Sequence, residues 1–218
     1  MIRQHQYSLY DIFAVLFVTT LLVSNIVSVK IVSVGWLTFD AGTVLFPLAY
    51  IVGDIITEVY GYRRMRRLIY SGVAALMLMT LTFWVVQLLP ADSSWTGQAA
   101  FESVWRLAIG SVTALFVGEI MNAYVMGRMK VASRGRGLWR RMVSSSLAGN
   151  ALDTVIFSTI AFAGTMPMTS FWQLIITVFL IKMAVEIMVS PLTMHLIARV
   201  KKREKMDTFE QPAKYLVN

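Results

Sequence analysis

Gly53-Asp54-Ile55-Ile56-Thr57-Glu58-Val59-Tyr60-Gly61-Tyr62-Arg63-Arg64-Met65-Arg66-Arg67 sets two carboxylates in an apolar run and closes that run with four arginines. An ionisable group in hydrocarbon is costly unless it faces a polar interior, and arginines just past an apolar span mark the side of the bilayer that keeps positive charge. The stretch therefore reads as the end of a membrane span, and its acids as a site rather than packing.

Reading outward from it, the other segments agree. The chain has 218 residues, 57% of them hydrophobic, and a mean hydropathy of +0.65, which is more apolar surface than a water-soluble core of this size hides. Spans near 9–30, 41–61, 68–90, 101–129, 142–164 and 171–199 predict an all-α, polytopic bundle of six transmembrane helices. This is one domain over 1–206, with a short polar tail at 207–218. The connections alternate in charge. Arg63, Arg64, Arg66 and Arg67 follow the second span, and Arg128, Lys130, Arg134, Arg136, Arg140 and Arg141 follow the fourth. Arg199, Lys201, Lys202, Arg203, Lys205 and Lys214 follow the sixth. With Arg3, 17 of the 20 basic residues fall on one side, whereas the loops after the third and fifth spans carry none, so both termini are expected in the cytoplasm.

That topology also accounts for the net charge of +8, which in a soluble protein would suggest nucleic acid; no nucleic-acid partner is expected. Cysteine is absent and His5 and His195 are far apart, so no disulfide, metal or other cofactor is expected. The first span is long, weakly basic at its start and lacks a small-residue cleavage site, the pattern of a retained signal-anchor. Trp36, Trp95, Trp105 and Trp172 fall near the outer boundary, where amphipathic rings anchor at headgroup level.

Polar residues inside the spans carry the functional argument. Tyr50, Asp54 and Glu58 are spaced i, i+4, i+8 and predict one polar face on the second helix, where Pro47 and Gly53 weaken helical regularity. Glu119 and Asn122 lie one turn apart on the fourth helix, Ser146, Asn150, Asp153 and Phe157 repeat at helical spacing on the fifth, and Lys182 and Glu186 are i, i+4 neighbours on the sixth. Any single one of these serves a structural ion pair as readily as a ligand. Together, four mid-depth acids plus Glu58 face Lys182 alone, a surplus of negative charge that calls for protons, cations or a donor-rich ligand. Asn25, near the outer end of the first helix, either binds ligand or holds helices together. Lys30 and the Glu102–Arg106 pair read as interfacial. Gly53-Asp54-Ile55 and Gly118-Glu119-Ile120, with Glu186-Ile187, echo one another on helices of one orientation, which suggests three hairpins around a central site.

No phosphate-binding loop, zinc-protease helix or nucleophile elbow is present, so a carrier for a small polar solute is expected rather than an enzyme. Ser24-Asn25, the block from Phe46-Pro47 through Asp54 to Gly61 with its arginines, Gly149-Asn150 with Asp153, and Lys182 ahead of Pro191 resemble the queuosine-precursor transporters of bacteria, also called the VUT family. The resemblance covers essentially all six spans. It implies a multi-pass protein of the bacterial inner membrane that imports 7-deazaguanine bases, such as 7-cyano- and 7-aminomethyl-7-deazaguanine or queuine, for queuosine in transfer RNA.

Such a base offers a ring N–H and an exocyclic amine that one carboxylate accepts side by side, and a carbonyl for an amide or ammonium. The substrate-binding candidates are accordingly Asn25, Tyr50, Asp54, Glu58, Glu119, Asn122, Asn150, Asp153, Phe157, Lys182 and Glu186, with Tyr50 or Phe157 offering a stacking face. The alternative is a substrate-binding subunit of an energy-coupling-factor vitamin importer. Those subunits carry an A-x-x-x-A patch on the first helix, where this chain has Ala14 and Val18. A chain this small admits either a monomer or a homodimer in the lipid bilayer.

Overall fold

The structure, a computed structural model, describes residues 9–35, 37–92, 94–95, 98–165 and 167–210. Arg3, His5, Trp36 and Lys214 lie outside the described residues, as do the side chains of Glu102, Trp105 and Arg106. Helix α1 (Tyr10–Val27) starts at the arginine-rich end of the bundle, where the Leu9 amide donates to Glu204 at 2.8 Å.

At the far end the chain departs from the expected first span. The helix stops at Val27, and β1 (Ile31–Val34) pairs antiparallel with β2 (Leu37–Asp40), Ile31 opposite Asp40 and Val34 opposite Leu37. Ile31, Val32 and Val34, in the connection expected between the first two spans, are β-branched, and Gly35 at φ +61° turns the chain back. Buried Asp40 fastens this hairpin, accepting hydrogen bonds from Ser28 Oγ at 2.7 Å and Thr43 Oγ1 at 3.1 Å.

The second span is three pieces rather than one helix: a 3-10 turn (Ala41–Leu45), α2 (Phe46–Ile55) opened by Pro47, and a π turn (Ile56–Tyr60). Gly61, at φ +91°, ends it in a conformation that suits glycine. Residues 52–62 are buried without a break, so α2 and its π turn are the axis of the bundle.

Around it stand α3 (Tyr62–Gln87), α4 (Gln98–Ala132), α5 (Leu138–Phe162) and α6 (Met168–Glu204). α6 is about 55 Å long at 1.5 Å per residue, against roughly 30 Å of hydrocarbon, and its surplus carries Lys201, Lys202 and Arg203. Leu78, Leu81, Trp84, Leu180, Met188 and Leu192 are exposed along the outside, the surface lipid covers, and Trp95 and Trp172 are half exposed at the hairpin end. Exposed Lys30 and His195 touch no site.

Among the described residues five helices are long and apolar enough to cross a membrane: α1, the 41–60 segment, α3, α4 and α6. α5 is of spanning length, but Ser144, Ser145, Ser146, Asn150 and Asp153 keep it outside that set. The chain is a helical, multi-pass membrane protein, with one short hairpin among the described residues.

Candidate functional site

Two glycines build the site. α4 and α5 approach so closely that a Cβ on Gly118 would stand 2.8 Å from Cβ of Asp153, and one on Gly149 2.8 Å from Cβ of Asn122. Small residues let helix backbones meet in this way. Each glycine is followed by a polar residue and, three positions later, by another: Glu119 and Asn122 on α4, Asn150 and Asp153 on α5. Run antiparallel, the two patterns bring four polar side chains to one level.

These groups line two adjoining cavities of about 70 and 80 Å³. The inner one is lined by Tyr50, Glu119, Asn122, Asn150, Asp153 and Lys182, and the outer one, toward the hairpin, by Asn25, Asp40, Phe157 and again Asp153 and Lys182. Phe46 stacks on Tyr50 at 5.9 Å between ring centres. A larger groove of about 670 Å³ between α3 and α4 is lined by Met77, Leu81, Trp84, Ile109 and Val112; it faces lipid and holds no charged group.

Lys182 is buried and pairs with Asp153 on α5, with its Nζ 4.2 Å from the centre of the Phe46 ring. Glu186, its i, i+4 neighbour on α6, makes no ion pair with Lys182 among the described residues. A lysine preceding its glutamate by four positions is the weaker order on a helix, and Glu186 lies near Asp54 of α2 and Ser146 of α5 instead. Asp54 and Glu186 are each 2% exposed and line neither cavity; each is one helical turn from a residue that does, Tyr50 and Lys182 respectively. Glu119 closes the triangle, its Oε2 3.8 Å from where a Cβ on Gly53 would be.

Several of these acceptors have no donor. Asn25 Oδ1, Asp54 Oδ2, Glu119 Oε2, Asn122 Oδ1 and Glu186 Oε1 are buried without a hydrogen-bond partner. Tyr50 OH is likewise unpartnered despite lying near Asn150. An unmade hydrogen bond to a buried polar group costs about 1–3 kcal/mol, and more for a charged one, so the acceptors that line the cavities, Asn25, Glu119 and Asn122, with Asp54 and Glu186 buried behind them, are sites for a donor.

Glu58 is not among them. The π turn replaces the α register that would have kept it on the face of Tyr50 and Asp54, and carries it to the arginine-rich end. There it is fully buried, accepting from Arg141 at 2.6 and 3.1 Å and from Lys201 at 2.7 Å, with Lys130 at 3.4 Å. The expectation of five acids facing Lys182 alone is corrected accordingly: Glu58 has its own three cations. Sequence reasoning missed these partners because loop arginines count toward topology. The available signal was that Arg141, Ser145 and Gly149 share one face at i, i+4, i+8, and all three are buried.

Residues 40–196 match the family model described as "Putative vitamin uptake transporter". The chain is 29% identical over 173 residues to the "Probable queuosine precursor transporter" of Bacillus subtilis (strain 168), covering 77% of this chain and 76% of that protein. It is 29% identical over 125 residues to the "Queuosine precursor transporter" of Escherichia coli (strain K12), covering 56% and 54% respectively. Against the "Probable queuosine precursor transporter" of Haemophilus influenzae it is 27% identical over 128 residues, 56% of this chain and 51% of that one. The chain thus spans about half the length of the last two relatives. No solved structure matches.

Proposed function

The chain belongs to the family described as "Putative vitamin uptake transporter", and on that premise we propose that it is a carrier that imports queuosine precursors, 7-deazaguanine bases, through the cavity between α2, α4, α5 and α6. Six spans with both termini in the cytoplasm, the arginine-rich end facing inward, complete the proposal, as does placement in the bacterial inner membrane. The transporter names of the relatives support it.

The observation that carries the choice of cargo is the set of buried acceptors without donors, Asp54 Oδ2, Glu119 Oε2, Asn122 Oδ1 and Glu186 Oε1. A 7-deazaguanine base carries the complement: a ring N–H and an exocyclic amine side by side for a carboxylate, with its carbonyl for the amide of Asn122 or Asn150. Phe46 and Tyr50, already stacked, offer the flat bicycle a ring face. Acids in excess of Lys182 suit proton-dependent import.

Equilibrium binding of 7-aminomethyl-7-deazaguanine to the purified protein tests the assignment. A charged acceptor lost at the base edge is worth about tenfold or more in affinity, so Asp54→Asn and Glu119→Gln each bind at least that much more weakly while remaining folded. Parental affinity in both variants contradicts the site.

A further inference from the structure

We propose that buried Glu58, its three cations and the 206–210 strap laid over them form the cytoplasmic gate of the transport cycle. The inference rests on the carrier reading above and concerns residues that this reading does not use.

Glu58 gathers one partner from each of three helices that wall the cavity, leaving α1, which lines it with Leu21 and Ser24, outside the cluster. Lys130 comes from α4, Arg141 from α5 and Lys201 from α6, while Glu58 itself ends the α2 segment that bears Tyr50 and Asp54. One carboxylate thus ties together the inner ends of four cavity-forming segments, α2, α4, α5 and α6. Between it and the cavity lies an apolar plug of Ile55, Met126, Met142 and Ile197, none more than 1% exposed. The cavities lie at mid-depth and toward the hairpin, where Asp40, Ser28 and Asn25 line the outer one. The way inward is therefore shut, and a carrier that delivers cargo to the cytoplasm has to open it there.

The parts at this end are suited to moving as a unit. Glu58 sits in a π turn, whose extra residue lets a helix exchange register with its α form, and the turn ends at Gly61, which takes φ +91° at no steric cost. Lys130 donates to the Glu58 backbone carbonyl at 2.6 Å, so the same ammonium that neutralises the side chain caps the turn. The strap closes over this. Asp207 bridges Lys130 at 2.5 Å and Lys201 at 2.9 Å, the Thr208 amide donates to the Val59 carbonyl at 3.3 Å, and Glu210 accepts from the Arg63 amide at 2.8 Å at the open start of α3. Phe209 lies 4.7 Å from Lys130 Nζ and against Gly135, where a Cβ would come within 2.9 Å of the ring. Without Asp207, three cations share the single charge of Glu58, and like-charge repulsion drives α4, α5 and α6 apart at this end.

Single cysteines in this naturally cysteine-free chain read the gate directly. Met142→Cys and, as a second reporter in case one perturbs folding, Ile197→Cys are placed in the plug. They are labelled from the cytoplasmic face by a membrane-impermeant maleimide in proteoliposomes, with and without 7-aminomethyl-7-deazaguanine. Labelling rises at least fivefold with the base. With Asp207→Asn added, labelling is already raised without the base, and the remaining response to it shrinks below twofold. A purely structural lock would leave labelling indifferent to the base. If the same samples bind the base and neither reporter responds, the gate is wrong and the carrier reading stands; if no base binds, both fail.

Discussion

Gly118 of α4 and Gly149 of α5 pass back to back: a Cβ on Gly118 would stand 3.1 Å from the Gly149 carbonyl oxygen, and one on Gly149 would stand 2.9 Å from that of Gly118. Backbone cannot swing aside as a side-chain end does, so only glycine fits at either place. The contact is also what sets Glu119 and Asn122 level with Asn150 and Asp153.

Gly149→Ala therefore overpacks the interface, at a cost of about 1–3 kcal/mol, and separates the two halves of the site. Its melting temperature falls and binding of the base is lost. Gly110→Ala is the control on the same pair of helices, since its Cβ would meet nothing closer than 3.4 Å. A Gly149→Ala protein with parental melting temperature and affinity contradicts this packing account.

Lys182 compensates Asp153 rather than Glu186. Removing one partner of a buried pair leaves the other charge stranded, which for a fully buried pair costs about 3–5 kcal/mol; with Asp153 30% exposed the cost is lower, about 2 kcal/mol. Lys182→Met loses this stability, and adding Asp153→Asn recovers most of it without recovering binding. Thermal stability and binding on the same purified samples check both halves. A Lys182→Met protein as stable as the parent, with unchanged affinity, defeats the assignment.

Acid releases the strap, but only well below neutrality. Burial works to raise the Asp207 carboxyl, yet hydrogen bonds and charge from Lys130 and Lys201 outweigh it and hold the group below the usual carboxylate range. A depressed acid contributes stability in full above its ordinary pKa of about 3.9, and the contribution disappears as pH falls through the lower, docked value. Exchange of the Thr208 amide, measured against an internal exchange standard, stays protected from pH 7 to about pH 4 and loses protection below. Loss of protection between pH 7 and pH 5 contradicts the ion-pair account.

Much of this was legible in the sequence, and the exceptions have physical causes. Hydropathy located five spans that the described residues bear out, α1, the 41–60 segment, α3, α4 and α6, and helical spacing brought out Glu119, Asn122, Asn150 and Asp153, because a regular α-helix keeps its period. Glu58 was misplaced because a π turn breaks that period and no sequence period announces it. The hairpin at 31–40 falls in the connection between the spans read at 9–30 and 41–61, where hydropathy gives no conformation. Arg141 and Lys130 are buried while neighbouring Arg140 and Arg128 are exposed, a difference made by packing that charge counting does not see. The docking of Asp207, Phe209 and Glu210 is tertiary and has no local pattern.

The proposed orientation follows from the basic residues. Cysteines introduced singly at Ser94 and Arg136 label from opposite sides of the membrane, Arg136 from the cytoplasm. Labelling of both from one side overturns the six-span arrangement.

Import itself is tested most directly with purified protein in liposomes free of ATP. The parent takes up radiolabelled 7-aminomethyl-7-deazaguanine, unlabelled base competes and unlabelled adenine does not, and Asp54→Asn and Asp153→Asn fall to the level of empty liposomes while inserting normally. Uptake by the parent no faster than by empty liposomes, or parental uptake in both variants, contradicts the account.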